Sequence, residues 1–220
     1  MFARRDFLIA STAATALAAL PAAALPSTRR FDAATRLGVL EVGQARLGVC
    51  FLDTVTGEVS GHRMEERFAL CSTFKLALAA ACLREADHGR IDLDEVIAYS
   101  EADLLPWAPV TRTNLAKGGM SVAALAQAAQ EMSDGVAANL LVRRLGGPAA
   151  LTARIREMGD TVTRLDRYEP ELGLVLSADL RDTTSPLAMA QLVGRITTGD
   201  ILQRGSRARL LQWMESTNTG

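Results

Sequence analysis

The chain has 220 residues, of which 49% are hydrophobic, and its formal net charge at pH 7 is −1. This composition predicts a soluble globular protein with enough apolar mass for a sizeable core. Because the charge is nearly balanced and aromatic residues make up only 5% of the chain, nucleic acid is not expected as a partner.

Residues 1–25 have the pattern of an export signal. Arg4 and Arg5 precede an apolar run from Ile9 to Leu20, and small residues after Pro21 offer a cleavage site. Paired arginines ahead of a modest apolar run resemble a bacterial twin-arginine signal. The alternative is a membrane anchor, but the run is shorter than the ~20 residues that span a bilayer. We therefore expect a periplasmic protein without membrane contact once the signal is cleaved.

The remaining sequence predicts two strands followed by helices. The strands are expected at residues 45–53 and 55–60, on either side of a turn. Helices are expected at 72–87, 121–131, 136–145, 149–158, 185–196 and 201–215, with loops at 104–113 and 159–177. A loop as long as the second one is usually functional or disordered. Since a two-stranded ribbon is marginally stable by itself, we expect the sheet to have further, C-terminal strands that this chain lacks.

The cysteines and histidines show no metal-binding pattern. Three cysteines are an odd number for an exported protein, which indicates a free thiol or a missing partner. Cys50 and Cys82 lie in apolar surroundings and are predicted to be core residues, whereas Cys71 adjoins the motif described next. His62 and His88 are isolated and are expected on the surface. No metal or cofactor is therefore expected.

The most informative motif, Ser72-Thr73-Phe74-Lys75, lies where an extended segment meets the first predicted helix. Residues three apart share one side of a helix, so the Ser72 hydroxyl and the Lys75 amine are expected to lie together. A neutral amine can accept the hydroxyl proton, and the backbone N–H of Ser72 can stabilise an oxyanion. These are parts of an acyl-transfer nucleophile. The alternative is a serine N-cap with a solvated lysine, and the motif alone favours that alternative.

Three further motifs favour the acyl-transfer nucleophile over the serine N-cap. They are residues 103–111, which include Trp107; Ser133-Asp134-Gly135; and residues 167–173, which include Glu169. Together with residues 71–75, their order and spacing resemble the class A serine β-lactamases over residues 32–220.

The resemblance implies the α/β plus all-α two-domain fold of serine β-lactamases and penicillin-binding proteins, with the active site between the domains. Residues 32–66 would begin the α/β domain, and residues 67–215 would form the helical domain. Residues 216–220 would lead into C-terminal strands, and the sheet would be incomplete without them.

The resemblance also implies a role for each matching residue. Ser72 would attack the lactam carbonyl, with Lys75 in its proton network. Ser133 would relay a proton to the departing lactam nitrogen, and Glu169 would activate the water that hydrolyses the acyl-enzyme. Turnover needs such a second base once the ester has formed. The alternative for Glu169 is an ion pair with a loop arginine in solvent.

Other matching residues would support the site. Asp134 would anchor the loop between its two helices, and Arg167 would brace the loop that carries Glu169 through an acid such as Asp182. Trp107 would form the aromatic wall at the site entrance, with ordinary packing as the alternative. Cys71 resembles the cysteine of those family members that have a disulfide beside the active site.

The sequence departs from the family pattern at three places. Gly135 stands where the family has an asparagine that contacts the acyl-amide of the substrate, and Gly173 stands where an asparagine helps to hold the deacylating water. The Lys-Thr-Gly strand motif, which supplies an oxyanion donor and a cation in the family, does not occur in the 220 residues. We therefore expect weak or altered turnover, and no activity from residues 26–220 expressed alone.

These observations predict a monomeric serine β-lactamase that hydrolyses the β-lactam ring of penicillin-type antibiotics through an acyl-enzyme. The nearest alternative is a penicillin-binding transpeptidase or carboxypeptidase, although Glu169 argues against it. A second alternative is a non-catalytic domain that binds penicillin covalently.

Overall fold

The computed structural model describes residues 37–43, 45–174 and 179–219, which belong to one compact unit. The predicted export signal at residues 1–25 lies outside these ranges. Within them, no helix is both long enough and apolar enough to cross a membrane. The domain boundary expected after residue 66 stays a prediction.

Six short strands pair into three two-stranded antiparallel sheets within the described residues. They are β1 (Val49–Leu52) with β2 (Val59–His62), β3 (Phe68–Ala69) with β6 (Thr183–Thr184), and β4 (Val96–Ala98) with β5 (Gly119–Ser121). The first two strands were predicted, but the expectation that only helices follow them was wrong. Strands of two or three residues show too little alternation to stand out in a sequence. The β3–β6 pair joins the segment before Ser72 to the residues that precede Pro186.

Seven α-helices form most of the regular secondary structure of the described residues. They are α1 (Phe74–Asp87), α2 (Pro109–Thr113), α3 (Val122–Met132), α4 (Gly135–Arg144), α5 (Pro148–Glu157), α6 (Pro186–Thr198) and α7 (Arg204–Glu215). Six of them match predicted helices, and their bounds differ from the predicted ones by three residues at most. The side chains of Ser121, Asp134 and Ser185 cap α3, α4 and α6, each accepting a backbone N–H at 2.9–3.2 Å.

Helix α2 lies inside residues 104–113, which the sequence predicts to be a loop. Pro109 occupies its first turn, where a missing N–H leaves no bond unmade. The next two N–H groups, of Val110 and Thr111, donate to Asp134 Oδ2 at 3.0 and 2.8 Å. The helix was missed because the group that caps it lies more than twenty residues further along the chain.

Helix α1 is the centre of the hydrophobic core. It packs against α3, α4, α5 and α7. Four of its alanines, Ala77, Ala79, Ala80 and Ala81, are at most 1% exposed, so the neighbouring helices approach its backbone closely. Because α1 is surrounded on nearly all sides, the first turn, which carries Lys75, has a fixed position.

The cysteines and histidines have different surroundings. Cys82 lies in the core as predicted, and burial raises the pKa of its thiol to about 12. The prediction that Cys50 is a core residue was wrong, since Cys50 is only half-buried, and Cys71 is exposed. His88 is exposed as predicted. The prediction for His62 was wrong, since its ring is half-buried with Nε2 3.5 Å from a glutamate carboxylate.

A buried carboxylate, that of Glu85, ties α1 to its surroundings. Glu85 is 4% exposed, and Arg90 donates to both of its oxygens, at 2.9 and 2.6 Å. Arg154 contacts one of them at 3.4 Å. The hydrogen bonds from Arg90 are the largest cause that holds the pKa of Glu85 below its ordinary value. A group with such a lowered pKa stabilises the fold above its unfolded-state pKa and loses this contribution as the pH falls through its folded-state pKa.

We expect Glu85→Gln to lower the free energy of unfolding by about 1–3 kcal/mol at neutral pH, because two guanidinium groups lose their counter-charge. Urea unfolding over a pH series measures this. The difference between parent and variant should shrink below about pH 4.3, where the parent carboxyl is protonated in the unfolded chain. Glu95→Gln is the control, since Glu95 pairs with Arg144 at the surface. A loss that stays constant down to about pH 2 would contradict the charge-based explanation.

Candidate active site

Ser72 lies in a tight turn between β3 and α1. Residues Cys71–Thr73 form one turn of 3₁₀-helix, so the α-helix begins at Phe74 rather than at Ser72. Cys71 has a φ of 43°, a left-handed conformation that is unfavourable for a residue with a side chain. Such strain is concentrated at functional sites, where the surrounding structure enforces it. One enforcing contact is the Leu70 N–H, which donates to the Asp182 carbonyl at 2.8 Å.

Lys75 connects the predicted catalytic residues. Its side chain is 4% exposed, and Nζ lies 3.2 Å from Ser72 Oγ and 3.0 Å from Glu169 Oε1. Nζ also lies 2.9 Å from both the hydroxyl and the carbonyl oxygen of Ser133. Ser133 Oγ donates to Ser72 Oγ at 2.9 Å. The structure thus brings these four residues together, and the alternative of a solvated lysine is wrong.

Ser133 lies in the turn between α3 and α4. It has a left-handed backbone with a φ of 52°, and this conformation points both its carbonyl and its hydroxyl at Lys75. The carboxylate of Asp134 is fully buried and accepts the Ala137 N–H at 2.9 Å. It also accepts the Thr111 hydroxyl at 2.9 Å. Asp134 therefore fixes the turn that carries Ser133 against α2.

Two clamps hold the loop that carries Glu169. Asn139, on α4, accepts the Glu169 N–H at 2.9 Å and donates to the Glu169 carbonyl at 2.8 Å. On the other side, Arg167 Nε donates to Asp182 Oδ2 at 2.5 Å. Asp182 Oδ1 accepts the backbone N–H groups of Asp166 and Arg167, at 2.7 and 3.0 Å. The backbone of Glu169, and that of the residues that precede it, is therefore held by side chains.

The two arginines near Glu169 have other partners. Arg167 pairs with Asp182, and Arg164 Nε donates to Asp166 at 2.9 Å. The Glu169 carboxylate instead contacts Lys75. An ion pair between Glu169 and a loop arginine, the alternative considered from the sequence, was therefore wrong.

A pocket of about 260 Å³ opens beside the Ser72 hydroxyl. Trp107 contributes an indole that is 58% exposed, with Nε1 donating to the Met132 carbonyl at 3.0 Å. Gly135 also lies against the pocket, and a Cβ added there would come 3.2 Å from Leu105 Cδ1. The residues that line the pocket are Ser72, Lys75, Leu105, Pro106, Trp107, Ser133, Gly135, Glu169 and Pro170.

Two predicted site residues, Gly173 and Cys71, lie apart from this pocket. Among the described residues, neither is part of its lining. Gly173 ends a 3₁₀ turn, Glu171–Gly173, and a Cβ added there would meet no heavy atom of the described residues within 4 Å. The loop predicted at 159–177 is described as far as residue 174.

Sequence reasoning missed Asn139, although it holds the Glu169 backbone. The signal was present, because Asn139 is an amide in the middle of an otherwise apolar helical stretch, four residues after Gly135. A polar side chain at such a position is buried, here 6% exposed, and it must find hydrogen-bond partners. What the spacing did not show was that the partners are backbone groups thirty residues away.

Comparison with known proteins places these observations in a family. The sequence model of the β-lactamase enzyme family matches residues 33–220. The chain is 45% identical to β-lactamase L2 of Stenotrophomonas maltophilia, with 100% of this chain and 76% of the relative covered. It is 44% identical to the carbapenem-hydrolyzing β-lactamase KPC of Klebsiella oxytoca, with 79% of this chain and 59% of the relative covered.

Solved structures agree with this relationship. An ancestral class A β-lactamase, GNCA, superposes with a TM-score of 0.82 at 48% identity, over 85% of this chain and 72% of that one. GNCA4, the last common ancestor of Gram-negative class A β-lactamases, superposes with a TM-score of 0.77 at 51% identity, over 80% and 66% of the two chains.

The chain spans less than two thirds of the length of KPC and 76% of the length of L2. The structural matches confirm the predicted fold class, and the sequence matches cover the segments that carry Ser72, Ser133 and Glu169. The chain therefore belongs to the class A serine β-lactamase family.

Proposed function

We propose that this protein hydrolyses the β-lactam ring of penicillin-type antibiotics through an acyl-enzyme on Ser72. The observation that carries the proposal is the position of the Lys75 amine, which lies within 3.2 Å of oxygen atoms of Ser72, Ser133 and Glu169 at once. A single amine in contact with three such groups can pass protons among them without a change of fold.

Acylation begins when the Ser72 oxygen attacks the lactam carbonyl and gives up its proton. Lys75 accepts this proton directly, or passes it to Glu169, with which it is in contact; which of the two serves as the base is disputed for the family. The backbone N–H of Ser72 stabilises the oxyanion. The C–N bond then breaks, and Ser133 Oγ protonates the departing nitrogen and is reprotonated from Lys75.

Deacylation needs a base beside the ester, because the water molecule that attacks the acyl carbonyl must give up a proton. Glu169 removes a proton from a water molecule as its oxygen attacks the ester carbonyl. The bond between the carbonyl carbon and Ser72 Oγ then breaks, and the proton returns from Glu169 through Lys75 to Ser72 Oγ. The two clamps on the Glu169 backbone support this step, since a general base must be held within hydrogen-bond reach of the water.

A penicillin-binding transpeptidase or a non-catalytic penicillin-binding domain is the competing function. Both would form the acyl adduct on Ser72 and retain it. The contact of Glu169 with Lys75 favours hydrolysis, and so do relatives named as β-lactamases. Intact-mass spectrometry after exposure to penicillin separates the functions, because a long-lived adduct on the parent protein would favour the competing one.

Export to the periplasm and a monomeric state belong to the same proposal. Support for the export comes from the arginine pair before an apolar run at residues 1–25, and from the L2 match, which covers the whole chain. Expression in a Gram-negative host, followed by mass spectrometry of the periplasmic fraction, tests the export. Protein that stays in the cytoplasm with residues 1–25 intact would contradict it.

In the full-length protein, we expect Glu169→Ala to form the acyl-enzyme with a penicillin but not to release it, because the base for the second step is gone. Intact-mass spectrometry should show the adduct persisting on the variant and decaying on the parent. Glu171→Ala, which changes an exposed carboxylate in the same loop, is the control and should behave as the parent does. Release at the parent rate by Glu169→Ala would show that another group activates the water.

In the full-length protein, we expect Gly173→Asn to speed deacylation of small penicillins about two- to tenfold, which corresponds to one added hydrogen bond to the water. The backbone at Gly173 is not left-handed, and no atom of the described residues lies within 4 Å of a Cβ added there. Single-turnover decay of the acyl-enzyme measures the effect.

Gly205→Asn is the matched control for Gly173→Asn, because it adds the same side chain at another open glycine, on α7. Unchanged or slower decay in Gly173→Asn would contradict the role given to the missing amide.

A further inference from the structure

Arg143, near the end of α4, contacts both of the loops that form the pocket. Its Nη1 donates to Asp103 Oδ1 at 3.1 Å, and its guanidinium carbon lies 5.7 Å from the centre of the Tyr168 ring. The first contact reaches the loop that leads to Trp107. The second reaches the residue that directly precedes Glu169. The Arg143 side chain therefore connects the two loops that line the pocket, and it lies outside the pocket lining.

Three residues on one face of α4 serve this pocket. Gly135, Asn139 and Arg143 are four residues apart, so they lie one above another along the helix. Gly135 lines the pocket, and its N–H donates to the Trp107 carbonyl at 3.2 Å. Asn139 holds the Glu169 backbone. Arg143 continues this series one turn further from the pocket.

The Asp103 end of the contact is well fixed. Asp103 Oδ2 accepts the Ser100 N–H at 3.0 Å, which closes the 3₁₀ turn Glu101–Asp103, while Oδ1 remains for Arg143. The Ser100 N–H, and after it the Arg143 guanidinium, hold the pKa of Asp103 below its ordinary value. The carboxylate is therefore ionised and oriented at neutral pH.

The segment that follows Asp103 carries three residues of the pocket lining, Leu105, Pro106 and Trp107. The far end of this segment is held by the Trp107 indole, which donates to Met132. Arg143 holds the Asp103 end of this segment and connects it to the segment that contains Tyr168. A planar guanidinium suits this position, because one edge donates to a carboxylate while a face lies over a ring.

We propose that Arg143 is a positioning residue that sets the distance between Trp107 and Glu169, and with it the fit of the substrate's acyl side chain. The inference deepens the proposed function and rests on it. Arg143 does not reach the reacting atoms, so it acts through Asp103 and Tyr168.

The solvent exposure of Arg143 and Asp103 determines which measurements should change when Arg143 is replaced. The side chains of Arg143 and Asp103 are 52% and 28% exposed, and exposed ion pairs contribute little to global stability. A variant at Arg143 should therefore melt almost as the parent does. Its effect should be found in the pocket, in substrate binding and in the mobility of Trp107.

The test compares Arg143→Gln with Arg144→Gln in the full chain. Arg144 is the matched control, since it is the next residue of the same helix and pairs with Glu95 at similar exposure, 35% and 37%, away from the pocket. We expect the penicillin concentration for half-maximal acylation of Ser72 to rise about five- to tenfold in Arg143→Gln, with the limiting rate nearly unchanged. Arg144→Gln should leave both values at the parent level.

Tryptophan fluorescence gives a readout that needs no catalysis. The chain has two tryptophans, and Trp213 is only 5% exposed, so Trp107→Phe isolates the Trp107 signal by difference. The anisotropy of the Trp107 emission should fall in Arg143→Gln and not in Arg144→Gln, at equal melting temperatures. Arg143→Lys should restore part of it, because lysine keeps the charge but cannot make both contacts.

Asp103→Asn combined with Arg143→Gln completes a double-mutant cycle. If the two residues act as one tie, the double variant should be no worse than Arg143→Gln alone. Equal behaviour of Arg143→Gln and Arg144→Gln in anisotropy would overturn the inference. A full-length parent protein that forms no acyl adduct would instead refute the proposed function, and the anisotropy comparison would still decide the role of Arg143.

Discussion

The amine of Lys75 lies in the protein interior, 4% exposed, and an amine in such a place needs polar partners because its burial is otherwise costly. The structure supplies them from three separate segments: Ser72 from the turn before α1, Ser133 from the turn after α3, and Glu169 from a loop. In each segment, a local structural constraint directs an oxygen atom toward the amine. Ser72 is thus one member of a set of polar contacts that the buried amine itself requires.

Each of these constraints acts on the backbone of the segment that carries the oxygen atom. Cys71 and Ser133, in the turns on either side of the amine, both have left-handed φ angles, which favour glycine in other proteins. The Glu169 loop has little regular structure, and its backbone is held instead by the side chains of Asn139 and Asp182. Strain at the turns and side-chain clamps on the loop together place groups that no single helix or strand brings together.

The sequence was sufficient for the residues whose geometry is local. Ser72 and Lys75 were placed together because they are three apart at a helix start, and the long helices were found from their apolar spacing and their caps. Ser133 and Glu169 came from resemblance to a family, because nothing in their own surroundings indicates that they meet Lys75. Asn139, Arg143 and helix α2 depend on partners 20 to 40 residues away, and periodicity contains no information about such pairs.

Helix α1 forms the centre of the core and also positions Lys75, so a substitution that alters one of these roles also alters the other. Its alanines let the neighbouring helices approach its backbone, and its first turn carries the amine around which the site is assembled. A larger side chain at Ala79 or Ala80 would have to push the helix away from its neighbours, since close-packed interiors have no spare volume. Such a shift would move Lys75 relative to partners that are anchored elsewhere. Variation that a core normally tolerates by repacking is therefore restricted here, and adaptation to new substrates is confined to the pocket loops, which can change without moving this helix.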